Sequence, residues 1–138
     1  MSLRSRAREI AMQALYQIEM HPGADPAGIE RFLAGRLRQP GLIRFARELV
    51  DGVRGNLAEL DAALDARAEH WRVSRMAAID RTILRIALFE MRHTDTPPAV
   101  AADEAIELAK RYGAAPSGRF VAGIVGRLAA DRQAAGAE

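Results

Sequence analysis

The 138-residue chain contains no cysteine. Disulfides, thiolate zinc sites and cysteine nucleophiles are therefore excluded together, and the composition favours a reducing, cytoplasmic setting over export. No apolar run is long enough to cross a bilayer, and the arginine-rich start is not followed by the apolar stretch of a secretory signal. Lysine is nearly missing, since Lys110 is the one exception among 20 basic residues. Genomic base composition produces such a bias without reference to any ligand. A glycine-rich phosphate loop is missing too: Gly23, Gly28, Gly52, Gly55, Gly123 and Gly126 have neither dinucleotide nor P-loop spacing. Nor does any segment keep a two-residue apolar alternation between turn signals, which removes strands from the reading.

Charge is present, and it is unevenly placed. The first eight residues hold Arg4, Arg6 and Arg8 and no acid, while the remainder carries 17 basic against 18 acidic side chains. A basic tip on a balanced body suits docking to phosphate, because steering follows the shape of the field more than its total. A solvated N-terminus fits the charge equally well.

The apolar residues recur at helical spacing almost throughout, so the chain is read as all-α, one domain with a single substantial core. The first helix, about Leu3 to Met20, places Ala7, Ile10, Ala11, Ala14, Leu15 and Ile18 on one side and Arg6, Gln13 and Tyr16 on the other. His21-Pro22-Gly23 ends it. Asp25 caps a second helix with Pro26 at its first position, burying Ile29, Phe32, Leu33 and Leu37. A long third helix is predicted from Leu42 to Leu64, with Gly52 and Gly55 as points of bending. The pattern breaks at 69–73, the expected subdomain junction, and Ser74 is the expected cap of the next helix. That helix, 79–91, is apolar over most of its circumference and should be the spine of the second half. Thr94 to Pro98 forms a linker. A helix from Pro98 to Tyr112 should bury Val100, Ala101, Ala105, Leu108 and Ala109 and close at Gly113. The last helix runs from Ser117 to about Asp131, burying Val121, Ile124, Val125 and Leu128, and 134–138 is expected to fray.

Catalytic chemistry finds little support, and no catalytic residue is assigned. His21, His70 and His93 are far apart and fall in no zincin, deaminase or triad pattern. Glu90 and His93 have the spacing of a di-iron motif, but no second copy exists, so no metal or other cofactor is expected. Asp61, Asp65 and Glu69 read as a solvated helix face. The segment Pro116-Ser117-Gly118-Arg119-Phe120 is more suggestive. With Ser117 as cap, the amides of Gly118, Arg119 and Phe120 and the Arg119 charge would form a phosphate seat at a helix N-terminus. Phe120 is placed to stack on an unpaired base, although its spacing alone favours a core aromatic.

Four colinear segments resemble the NusB transcription antitermination factors: Arg8-Glu-x-Ala-Met-Gln-Ala-Leu-Tyr16, the run Ile79 to Glu90, Ala102 to Lys110, and Ser117-x-Arg-Phe-Val-x-Gly123. The resemblance implies a fold of about seven helices in two small bundles, divided near residue 70, without catalysis. It also implies binding of boxA-type single-stranded RNA together with ribosomal protein S10 (NusE), within a complex of other Nus factors and RNA polymerase that supports ribosomal RNA transcription. Carried over by position, the RNA-contacting residues are Arg4, Arg6, Arg8, Gln13, Tyr16, Ser117, Arg119 and Phe120, and the NusE-facing residues are Arg75, Met76 and Asp80. A homodimer is compatible with the family. The chain departs from the family pattern at Asp103, Pro116, Ala122 and Gly126.

Two other classes fit the composition. A helix-turn-helix DNA reader needs a short turn before a basic, polar second helix, which no helix pair here provides. A non-enzymatic helical scaffold for protein partners, like the NusB-like module of some RNA cytosine methyltransferases, needs no RNA contact at all.

Overall fold

The computed structural model describes residues 2–136, and among them there are seven α-helices, one 3-10 turn and no strand. The helices are α1 (Leu3–Met20), α2 (Pro26–Leu37), α3 (Pro40–Gly55), α4 (Leu57–Arg67), α5 (Ala78–His93), α6 (Pro98–Tyr112) and α7 (Ser117–Gly136), with the turn at Val73–Arg75. The chain forms two compact units, the first ending at Gly55 and the second beginning at Asn56.

In the first unit α1 packs chiefly on α3, with α2 beside both. Ser2 opens α1 by accepting the Ser5 amide on its hydroxyl at 3.0 Å. Asp25 opens α2 by accepting the Ala27 amide at 3.0 Å, with Pro26 behind it as the spacing predicts. Ala7, Ile10, Ala11, Ala14 and Leu15 are buried as expected, but so are Arg8, Glu9 and Met12. Burial around residues 7–12 therefore wraps the helix, where the pattern indicated one stripe. Ile29 and Phe32 are only half-buried, and Leu33 and Leu37 carry the core face of α2. Arg47 reaches from α3 to Glu30 on α2 through two hydrogen bonds, which hold the Glu30 carboxyl below its usual range.

The predicted third helix is two helices. Asn56, at φ −120° and ψ 21°, leaves the helical region between α3 and α4. Both halves keep a three- and four-residue apolar rhythm, so periodicity cannot register the break, although Gly52, Gly55 and Asn56 all have low helix propensity. The division between units thus falls at Gly55–Asn56, and the 69–73 segment lies inside the second unit. There the Val73 amide donates to Asp65 Oδ1 at 2.7 Å, fastening the connection to α4.

In the second unit α5 packs against α4, α6 and α7. Ten of its residues are buried, including Asp80, Thr82 and Glu90, so it is the expected spine. Ser74 is not its cap: it sits in the 3-10 turn, and Ala77 precedes the helix without a side-chain cap bond. Arg85 grips Asp61 on α4 by two bonds of 2.8 Å. Glu90 accepts the Thr96 hydroxyl at 3.1 Å and so secures the linker, while His93 bonds Glu59 at 3.1 Å. The Glu90–His93 pair thus serves two separate structural contacts, and among the described residues no cluster of three potential metal ligands occurs. Val100 is exposed, contrary to expectation, while Ala101, Ala105, Leu108 and Ala109 bury the face of α6. α7 buries the four predicted residues and continues to Gly136, so 134–136 are helical. Residues 137 and 138 lie outside the described residues. No helix among the described residues is long and apolar enough to cross a membrane.

Candidate nucleic-acid interface

Candidate residues occur in both units. In the first, the three head arginines occupy different environments. Arg4 is exposed and lies over the Phe45 ring of α3, its guanidinium carbon 4.4 Å from the ring centroid. Arg8, one turn on, is buried over the same ring at 5.2 Å. Arg6 points elsewhere, half-exposed and ion-paired with the buried Glu9. The charge that sequence places together is thus divided into an exposed cation, a paired cation and a buried one. Gln13 and Tyr16 are half-buried farther along α1.

The second unit gathers most of the remaining candidates into one groove. Ser117 and Phe120 at the start of α7, Asp80 at the start of α5, and Arg75 and Met76 just before it line a cavity of about 350 Å³ with Trp71 and Pro116. Phe120 is half-buried and meets the exposed Trp71 edge-on, with ring centroids 6.5 Å apart at 87°. It is therefore a groove wall and not a core aromatic. Met76 and Asp80 are buried, Arg75 is exposed, and Arg119 is exposed without lining the groove.

Ser117 has a different role from the predicted cap. Its hydroxyl is buried and donates to Asp80 Oδ2 at 3.1 Å, which ties the start of α7 to the start of α5. The Phe120 amide donates to the Pro116 carbonyl at 3.0 Å, so it is not available to an anion and the phosphate seat is smaller than the sequence suggests. The second carboxylate oxygen of Asp80, Oδ1, is buried and has no hydrogen-bond partner among the described residues. A buried acceptor left in this state is costly until a donor reaches it. The groove therefore offers flat apolar walls, one unsatisfied acceptor, and the exposed cation Arg75 on its lining. Such a combination accepts a planar ring bearing an N–H edge, or a cationic side chain.

Trp71 and Phe45 are the residues that sequence reasoning missed. The break in apolar rhythm at 69–73 marks Trp71 only as part of a connection, and Phe45 falls among the three- and four-residue apolar repeats of the predicted third helix. Nothing local in the sequence pairs Phe45 with residues 4 and 8.

Comparison with known proteins agrees with the fold and with the order of its segments. Residues 5–130 match the model of the NusB family. The transcription antitermination protein NusB of Myxococcus xanthus is 38% identical over 134 residues, spanning 94% of this chain and 96% of the relative. The NusB of Pelotomaculum thermopropionicum is 42% identical over 129 residues, spanning 91% and 88%. Among solved structures, Thermotoga maritima NusB superposes with a TM-score of 0.81 at 36% identity, over 93% of this chain and 91% of that one. A structure described as antitermination factors NusB and NusE in complex with double-stranded RNA shares the fold at a TM-score of 0.81 and 22% identity, over 95% and 98%. With a family match across most of its length and relatives near 40% identity covering nearly all of it, the chain belongs to the NusB family.

Proposed function

We propose that the protein is a transcription antitermination factor that binds boxA-type single-stranded RNA together with ribosomal protein S10 (NusE). In this role it joins other Nus factors and RNA polymerase in the cytoplasm, supports ribosomal RNA transcription and catalyses nothing. The observation that carries this is the groove of the second unit: Phe120 stands in its wall beside Trp71, where an aromatic ring is exposed enough to receive a base. Arg4 on α1, with Gln13 and Tyr16, supplies the phosphate-facing contacts of the head, Arg6 joins them when a phosphate replaces its Glu9 partner, and Ser117, Arg119 and Phe120 form the second region. Arg75 is the exposed NusE-facing residue, with Met76 and Asp80 buried behind it in the groove lining. Arg8 is buried and contributes through the fold of the head.

The test is titration of labelled boxA RNA with and without NusE, across salt concentrations. Three to five phosphate contacts at ~0.7 each give a log-log salt slope of about −2 to −4. The competing scaffold role predicts NusE binding without retention of RNA at any salt concentration. Sizing of the free protein completes the experiment, since a homodimer that covered the head would suppress binding until it opened.

A further inference from the structure

Arg4 and Arg8 sit at i and i+4 on α1, with Arg6 between them facing Glu9, and both guanidiniums lie over one ring on α3. Phe45 is only 7% exposed and lies on a helix whose next residues toward the core, Ala46 and Leu49, are completely buried. The ring is therefore a fixed surface, and the two guanidiniums lie on it. We propose that Phe45 is a positioning residue for RNA binding, a base plate that orients the arginine head and holds Arg4 toward the phosphate strand.

The chemistry of the contact makes this different from an ordinary structural packing contact. A carboxylate holds an arginine by occupying its N–H donors and compensating its charge, as Glu9 does for Arg6. An aromatic face attracts the cation through the ring quadrupole and supplies no acceptor oxygen, so charge and donors both remain available to an external phosphate. Arg4 is exposed and held in this second way. Its side chain is ordered before RNA arrives, which lowers the entropy lost on binding. Arg8 closes the same ring from one turn farther along and is buried there, so it stiffens the arrangement from beneath.

The proposal rests on the RNA-binding role assigned above, and the experiment separates the two. Full-length wild type, Arg4→Ala, Phe45→Leu, Phe45→Tyr and the double variant Arg4→Ala/Phe45→Leu are titrated with one single-stranded boxA oligonucleotide, with thermal melts alongside. Phe45→Leu keeps an apolar side chain in the core and removes the ring. It is expected to weaken RNA binding about two- to fivefold, the range of an exposed cation–π contact. Phe45→Tyr is expected to restore the affinity. In the Arg4→Ala background the Phe45→Leu change should have no further effect, an outcome that general loss of stability would not produce. The side-chain protons of Arg4 should also be shifted upfield by the ring in the wild-type NMR spectrum and return to ordinary positions in Phe45→Leu. If Arg4→Ala weakens binding while Phe45→Leu does not, the base plate is overturned and the RNA role stands. If Arg4→Ala leaves binding unchanged, Arg4 has no RNA role and the proposal fails with it. Should Phe45→Leu melt below the assay temperature, the wild-type spectrum decides: unshifted Arg4 protons overturn the proposal, and ring-shifted ones sustain it.

Discussion

Arg8 and Arg4 carry the same charge four positions apart in a short basic run, yet their substitution should have different consequences. Arg8 is buried with its guanidinium over Phe45, and its long aliphatic stem is part of the packing. Arg8→Ala is expected to lower stability by about 2 kcal/mol in urea unfolding, through lost packing and an uncovered ring. Arg4→Ala, at an exposed position, should stay within about 0.5 kcal/mol of wild type in the same measurement and lower RNA affinity instead. A similar division applies to Phe120, whose ring is half-buried in a groove wall. Phe120→Ala should weaken RNA binding by about 1–3 kcal/mol while the far-ultraviolet circular dichroism stays helical. Gly113 shows the tightest steric demand. A Cβ there would lie 2.3 Å from the Cβ of Ser117 and 2.8 Å from the Ala109 carbonyl oxygen, so Gly113→Ala must displace the residue that bonds Asp80. An overpacking cost of about 1–3 kcal/mol is expected by thermal denaturation.

At the scale of elements, helices whose ends carry chemical punctuation were legible in the sequence. Caps, prolines and turn residues act within a few positions of the chain, and α1 and α6 begin and end where those signals stand, as does the start of α2 at Asp25-Pro26; its end does not, because Arg38 closes it at φ 65° and Pro40-Gly41, the expected stop, opens α3. The α3–α4 division was not legible in this way, because Asn56 interrupts a helix without interrupting its apolar spacing and makes no side-chain cap bond. Ser74 gave the converse error: it is a good capping residue that the fold places in a 3-10 turn. The site divides along the same line. Ser117, Phe120 and the head arginines are candidates by charge and expected capping, which are local, although the Ser117 hydroxyl bonds Asp80 instead of capping its helix. The Ser117–Asp80 bond spans 37 positions and the Arg4–Phe45 contact a similar distance, and no local rule pairs such residues. The end of α4 provides an element-scale test. Glu69 follows the last residues of the helix at φ 56°, a left-handed conformation that suits glycine and costs other residues. Glu69→Gly is expected to raise stability by about 0.5–1 kcal/mol in urea unfolding, the relief of strain exceeding the added freedom of the unfolded chain.

For the whole molecule, the governing quantity is where uncompensated positive charge lies. A net charge of +2 is too small to drive RNA binding as a diffuse field, and much of the arginine content is committed to internal pairs, including Arg47 with Glu30, Arg67 with Asp131, Arg85 with Asp61 and Arg6 with Glu9. Binding should therefore depend on a few placed cations, and its salt dependence should be shallow for a protein of such high arginine content. Each phosphate contact removed flattens the log-log slope by ~0.7. Arg4→Ala should reduce the slope by about that amount, because it deletes an exposed cation held by a neutral ring. Arg67→Ala, which deletes a cation already compensated by Asp131, should leave the slope unchanged even though the formal charge falls equally. Fluorescence titrations of boxA RNA between 50 and 200 mM salt, about a fourfold range sufficient to resolve such a difference, would distinguish these outcomes. Equal flattening by both substitutions would mean that total charge and not its placement controls binding, and the arginine head would lose its special role.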